Sequence, residues 1–260
     1  MSVVPSFPTG ILARVGSPYE PGEFGVQLTS SLQFSFGTTK DIKLQPDLRM
    51  WFPLSRSPEV AFVVRTNLGF LFPSGFGQSL DTYFQEGDTR DQQYVYFRGL
   101  FSGGATSNRG YLAEWIAARA PASFLLPQLG LAEFRELCAW DAAAPACNMA
   151  VGGRAMWEGS TELQFPIYGP VSGSVFVDTS DVSPQRVIRF KYPHLSPGIG
   201  VRLDTSILAV KLAIAYRVPG LQRATGTGGP EEPDPGKILG VPITFNVGLE
   251  PPNPQRSASE

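Results

Sequence analysis

Apolar and polar residues alternate strictly over long stretches of this chain, and few folds accommodate that pattern. In residues 26–36 the apolar side chains fall on one face of an extended strand, while Gln, Thr and Ser fall on the other. The same period of two governs residues 42–52 and 64–72. Each segment has about ten residues, the length with which a tilted β-strand crosses a lipid bilayer. We therefore predict three long strands in the first part of the chain.

The alternation returns after a long interruption and predicts five more strands. These strands lie within residues 157–165, 171–178, 199–204, 210–217 and 243–248. Their apolar residues share one face, as Leu212 and Ile214 do, and the opposite face carries charge, as at Lys211. About eight strands and no helical domain follow from this reading.

Two all-β architectures contain strands that alternate in this way. The charged face and the lengths of the connections favour one of them. Charges on the polar face of several consecutive strands are expected of a water-filled barrel interior. The connections also alternate, being long after Phe72, short at 166–170, long at 179–197, short at 205–206 and long at 218–237. Outer-membrane barrels have this order of short turns and long loops. The alternative is a soluble β-sandwich binding module whose charges face solvent.

Composition limits the partners. The net charge of −2, with 17% charged residues, lacks the basic excess of a nucleic-acid binder, so no nucleic acid is predicted. No run approaches the roughly 20 apolar residues of a membrane helix. Contact with a lipid bilayer would therefore be made by strands.

Cysteines and histidine are scarce. Cys138 and Cys147 are close enough in sequence to form a small disulfide loop in an oxidising compartment, although two free thiols remain the alternative. The single histidine, His194, has no partner at metal-ligand spacing, so we predict no metal and no cofactor.

A glycine-rich segment, "FSGGATSNRGY", interrupts the strands and carries Arg109. It lacks the Gly-Lys-Ser/Thr ending of a phosphate-binding loop. Glu162 and Asp178 lie on the polar faces of strands joined by the short 166–170 turn, but nothing in the sequence identifies a pocket or a substrate for an acid–base pair. We therefore predict that the protein is not an enzyme.

These residues carry a resemblance to a known family. "FSGGATSNRGY" resembles the "GG…VRGF/Y" loop of the BamA/TamA-type outer-membrane protein assembly factors, in the bacterial surface antigen barrel superfamily. "AVGGRAMWEGSTELQFPI" resembles the family's "GGN…SLEF" strand and "GSVFVDTSDV" its "FxDxG" strand. "SPGIGVRLDTSILAVKLAIAYRV" and "ITFNVG" are similar to its closing strands. The ordered set covers residues from about 58 to 249.

The resemblance implies a 16-stranded barrel in the bacterial outer membrane, preceded by periplasmic domains. This chain would supply about half of the strands, with residues 1–250 as a C-terminal part of the barrel and 251–260 as a tail. The loop within 73–150 would fold into the lumen through its motif, Asn108, Arg109, Gly110 and Tyr111. The resemblance further implies that Arg109 pairs there with Glu162 and Asp178.

The resemblance also implies a function. The protein would insert, assemble or translocate other proteins, with unfolded outer-membrane proteins as clients and periplasmic accessory proteins as further partners. A two-partner secretion pore of the same superfamily is the alternative, since it shares the "RGY" loop. The strand "VPITFNVG" would form a weak seam or a strand end at the periplasmic or outer rim, because Pro242 cannot donate a ladder hydrogen bond.

Three features depart from the family's pattern. Asn108 stands where a small aliphatic residue is usual, and Thr179 and Ser180 stand where the family has one residue and then glycine. We interpret these changes as surface variation around Arg109. The tail "PPNPQRSASE" replaces a terminal aromatic residue.

Overall fold

Nine antiparallel strands form one sheet in a computed structural model that describes residues 6–15, 24–76, 89–126, 128–141, 144–205, 208–221, 238 and 240–250. The predicted tail, residues 251–260, lies outside this part. The strands of the sheet are β1 (Ser6–Val15), β2 (Gly25–Ser35), β3 (Asp41–Arg56), β4 (Glu59–Pro73), β7 (Ala155–Tyr168), β8 (Val171–Ser183), β9 (His194–Asp204), β10 (Ala209–Tyr216) and β11 (Ile243–Glu250).

Each strand of the sheet pairs with its neighbours in chain order. The long segment between β4 and β7 does not break this order, because β4 and β7 pair directly from Ala61↔Gln164 to Phe70↔Ala155. Among the described residues no pairing joins β1 to β11, so the sheet is open. An open antiparallel sheet of this kind is the arrangement expected of part of a barrel.

The apolar face of the sheet is the exposed one. Val175, Ile199, Leu212 and Val247 are 49%, 59%, 52% and 65% exposed, respectively. In a β-sandwich this face would pack against a second sheet, but the only other sheet in the described part is a two-stranded pair, β5 (Arg119–Ala120) and β6 (Met149–Ala150). The sandwich alternative is therefore wrong, and the predicted all-β transmembrane barrel architecture is confirmed.

The segment between β4 and β7 packs on the polar inner face. It contains helix α1 (Thr89–Arg98), β5 (Arg119–Ala120), a 3₁₀ turn (Ser123–Leu125), helix α2 (Leu131–Trp140) and β6 (Met149–Ala150). Tyr111 and Ile116 from this segment form a buried cluster with side chains of β4, β7 and β8: Leu71, Met156 and Val182. Among the described residues, no helix has both the length and the apolar character to cross a membrane.

The structure differs from the strand prediction in two places. Strand β1 was not predicted, because Pro8 and Gly10 interrupt its alternation, and its ladder with β2 has two register shifts. The predicted long loop 179–197 is too long, since β8 and β9 continue to pair through Thr179↔Leu195 and Ser180↔His194. Pro197 and Gly198 obscure this extension in the sequence.

Candidate functional site

The segment from Gly103 to Tyr111 folds into a compact turn against the inner face of the sheet. The Asn108 carbonyl accepts hydrogen bonds from the backbone N–H groups of Gly104 and Tyr111, each at 3.2 Å. Gly103 and Gly104 have φ values of 109° and 100°, which favour glycine. A Cβ atom at Gly103 would lie 2.3 Å from the Leu112 carbonyl oxygen. The backbone geometry of the turn itself therefore favours glycine at both positions.

Arg109 extends from this turn to two carboxylates on neighbouring strands. Its Nε and Nη2 atoms donate to the two oxygens of Asp178 at 2.8 and 2.9 Å, and Nη1 donates to Glu162 at 2.6 Å. The Arg109 backbone N–H adds a bond to Asp178 at 3.0 Å. The planar guanidinium thus binds Asp178 in the bidentate geometry that strengthens such pairs, and bridges to Glu162 with its remaining nitrogen.

Strand register explains why these two carboxylates meet. Glu162 lies opposite Phe176 in the β7–β8 ladder, and Ser160 lies opposite Asp178. All four side chains belong to the inner face, because residues two apart on a strand share a face. Ser160 donates to Asp178 at 2.7 Å and also accepts from Arg109 at 3.2 Å. Gln164 donates to the second oxygen of Glu162 at 2.8 Å.

Phe176 is one of the site residues that the sequence did not predict. Its ring is 1% exposed, and the Arg109 guanidinium carbon lies 3.3 Å from the ring centroid. An aromatic face in this position attracts a cation and excludes water from one side of it. Strand alternation could have identified it, because Phe176 lies two residues before Asp178 and therefore faces inward with it.

The electrostatic environment keeps Arg109 charged. Burial alone would lower the pKa of Arg109, but hydrogen bonds and charge from Asp178, together with the charge of Glu162, outweigh it and raise the pKa above its ordinary value. The Arg109 and Glu162 side chains are 12% and 13% exposed, and that of Asp178 is 1% exposed. Ion pairs that are this dehydrated interact more strongly than pairs on an open surface.

Asn108 and Ser180 are not surface variations, and that interpretation is wrong. Asn108 is 1% exposed and Ser180 is 0% exposed. The Asn108 amide donates to the Ser180 hydroxyl at 3.0 Å and to the His194 carbonyl at 2.8 Å, and its oxygen accepts from the Gly110 N–H at 3.3 Å. The two departures from the family's pattern therefore contact each other.

Gly110 and Tyr111 complete the motif through close packing. A Cβ atom at Gly110 would lie 2.0 Å from the Ser196 hydroxyl oxygen, so only glycine fits between the turn and β9. Tyr111 is 3% exposed, and its ring meets the ring of His194 edge to face with centroids 5.2 Å apart. His194 lies beside the motif and has no metal-ligand set around it in the described part of the chain.

Further contacts anchor the same segment at other strands, and the sequence did not predict them. Arg65 on β4 donates to Asp47 on β3 at 2.7 Å and also to the Thr106 carbonyl. Ser107 donates to Glu158 on β7. Near the end of α1, the Arg98 guanidinium binds Asp41 through three hydrogen bonds of 2.7 to 3.2 Å. The segment is thus held across β3, β4, β7, β8 and β9.

Cys138 and Cys147 form a disulfide within the segment between β4 and β7. The bond lies in a separate buried cluster with Phe134 and Ala146, between the end of α2 and the start of β6. It does not belong to the turn that carries Arg109. It closes the short connection that follows α2.

Comparison with known proteins gives a family match and similar solved structures. The sequence matches the Omp85 superfamily domain over residues 18–231. No curated protein matches the chain in sequence. The fold is similar to the crystal structure of BamA from Haemophilus ducreyi lacking POTRA domains 1–3, with a TM-score of 0.55 and 14% identity, covering 96% of this chain and 41% of that one. CdiB from Acinetobacter baumannii matches with a TM-score of 0.44 and 10% identity over 88% of this chain and 31% of that chain.

Proposed function

Because the chain belongs to the Omp85 superfamily, we propose that it is part of a barrel that inserts and assembles other outer-membrane proteins. The superfamily serves protein assembly or secretion, and the chain is located in the bacterial outer membrane. The chain spans less than half the length of the BamA structure that it matches, so the activity, clients and accessory partners of the whole protein belong to this proposal.

The contact between Arg109 and its two carboxylates is the observation that supports the proposal. An anchored turn on the inner face leaves the sheet supported from within while its outer face meets lipid. All three guanidinium nitrogens of Arg109 have acceptors on β7 or β8. The site is consequently an ion-pair anchor, in which Glu162 and Asp178 hold the loop.

Strand β11 offers the second element of the proposed mechanism. In the described part of the chain it pairs with β10 alone, and Pro242 immediately precedes its ladder. An edge strand presents unpaired N–H and C=O groups that can template an incoming strand by β-augmentation. Client insertion would begin by pairing along this edge.

The proposal is tested by insertion of a client barrel into vesicles that contain the full-length protein, followed as the gain of a heat-modifiable folded band. Arg109→Lys keeps the charge but cannot form the planar two-carboxylate fork. We expect insertion to slow by about tenfold, the equivalent of one charge-assisted hydrogen bond of roughly 1.5 kcal/mol. Arg49→Lys is the matched control, since Arg49 is half exposed and, among the described residues, forms its ion pair with Asp47.

Three results would contradict the proposal. Insertion by the unmodified protein at the rate of empty vesicles would reject the assembly role, and transport of a soluble exoprotein by the same vesicles would favour the secretion pore. Equal rates for Arg109→Lys and Arg49→Lys would show that the anchor does not support insertion.

A further inference from the structure

We infer that the turn carrying Arg109 and the edge strand β11 are mechanically coupled, so that docking of the turn holds β11 in place and release of the turn frees it. The biological use of this coupling rests on the proposed function. The coupling itself is a property of the fold and can be measured without any client.

Two successive carbonyl groups of the turn bind inward side chains of β11. The Arg109 carbonyl accepts a hydrogen bond from the Asn246 amide. The Gly110 carbonyl accepts from the Thr244 hydroxyl at 2.7 Å and from the Arg217 guanidinium at 3.2 Å. Arg217 also donates to the Thr244 hydroxyl. Thr244 and Arg217 are 4% and 5% exposed, so these bonds are sheltered from water.

Strand β11 has few other attachments to the rest of the protein. Its backbone ladder runs to β10 alone within the described residues. Its alternate side chains, Phe245, Val247 and Leu249, are 57%, 65% and 69% exposed on the lipid-facing side. On that face they lie beside outward side chains of β10, as in the pairs Ile214↔Phe245 and Leu212↔Val247. Inside the barrel, Thr244 and Asn246 connect this strand to the turn by hydrogen bonds, and Arg217 adds bonds to Thr244 and to the Ile243 carbonyl.

The same turn is bound at its other side to β7, β8 and β9. The Arg109 side chain contacts Glu162 and Asp178, and Asn108 binds Ser180 and the His194 carbonyl. Gly110 packs so closely against Ser196 that no side chain would fit between them. The turn therefore links β11 to strands two, three and four positions away across the sheet. Weakening either attachment should loosen the other by the same coupling free energy, because such coupling is reciprocal.

This link has a direct consequence for strand addition at the β11 edge. An incoming strand can pair fully only where β11 is free to adjust its position and twist. With the turn docked, Thr244 and Asn246 restrain β11 from inside. When the turn leaves the inner face, β11 loses those bonds and keeps its ladder with β10.

The test is hydrogen–deuterium exchange in the full-length protein in lipid nanodiscs. Arg109→Ala, and Arg109→Lys if alanine prevents folding, alters a side chain whose hydrogen bonds in the described part of the chain run to β7 and β8. We expect peptides covering residues 243–250 to exchange about tenfold faster in these variants, the effect of losing roughly two hydrogen bonds from a folded element. Conversely, Thr244→Val combined with Asn246→Ala should speed exchange at residues 104–111 to a similar extent.

Val247→Ala is the matched control, since it truncates an outward side chain of β11 and leaves the turn contacts intact. It should leave exchange at residues 104–111 unchanged. Unchanged exchange in β11 after substitution of Arg109, or equal loosening of the turn by Val247→Ala, would overturn the inference. Because exchange requires no client, coupling without insertion would reject only the proposed function, and insertion without coupling would reject only this inference.

Discussion

Arg109 is suited to its position by the shape of its side chain as well as by its charge. The guanidinium plane lies over the ring of Phe176 while its edge donates to Asp178 and Glu162. A lysine ammonium could supply the positive charge, but it could not lie flat over the Phe176 ring and bond both carboxylates at the same time. The residue thus joins two strands and one loop through a single rigid group.

Asn108 gives a prediction at the same scale. Asn108→Val should destabilise the protein by about 1–3 kcal/mol, because it leaves the buried Ser180 hydroxyl and the His194 carbonyl without their donor. Adding Ser180→Gly removes the stranded hydroxyl, so the double variant should lose less stability than the sum of the single variants. Denaturant titration of the full-length protein in lipid measures these free energies of unfolding.

Thr179 provides the control for this prediction, because it is next to Ser180 but faces the other side of β8. Thr179→Ala combined with Asn108→Val should show additive losses. If Asn108→Val and Ser180→Gly are additive as well, the hydrogen bond between Asn108 and Ser180 has no role in holding the turn.

The sequence predicted some of the site residues and concealed others for identifiable reasons. Strand parity placed Glu162 and Asp178 on the inner face, and the resemblance implied their pairing with Arg109. Phe176 was missed because apolar residues were assigned to lipid, although its parity matches that of Asp178. Asn108 and Ser180 were read as surface positions, since a polar residue in a glycine-rich loop gives no measure of its burial.

At the scale of the elements, the strands followed from the sequence more completely than the helices did. Alternation is a local signal, and it located eight of the nine strands in the sheet. Helices α1 and α2 have ten residues each, a length that is marginal without tertiary packing. The packing that supports α2 comes from Phe134 and the disulfide cluster, and long-range contacts of this kind have no periodic pattern in the sequence.

Strand β10 gives a prediction about the orientation of an element. Leu212 is 52% exposed on the outer face, while Lys211 lines an inner cavity with Arg109 and Glu162. Leu212→Arg should destabilise the protein by about 2–4 kcal/mol if the position lies near the bilayer midplane, and Lys211→Gln should cost much less. Folding titrations into lipid vesicles measure both changes, and equal costs would contradict the assigned faces.

At the scale of the whole molecule, the distribution of apolar and charged side chains over the two faces of the sheet is the opposite of that in a soluble domain. Its apolar face is exposed, and its charged face is buried beneath the inserted segment. Charges such as Asp41, Asp47 and Glu158 therefore find partners in that segment or on neighbouring strands. The alternation of residues predicted an inward polar face. The path of the segment between β4 and β7 across that face depends on contacts between residues far apart in the chain.

The central claim is that Arg109 holds the turn through Glu162 and Asp178 as a coupled unit. A double-mutant cycle in the full-length protein in lipid tests it, with the free energy of unfolding measured for Arg109→Ala, Glu162→Gln and the double variant. We expect Arg109→Ala to cost about 3–5 kcal/mol, because it leaves buried carboxylates unpaired. The double variant should lose about 1–3 kcal/mol less than the sum of the single variants. Losses that add within about 0.5 kcal/mol would show that Arg109 and Glu162 do not act together and that other contacts hold the turn.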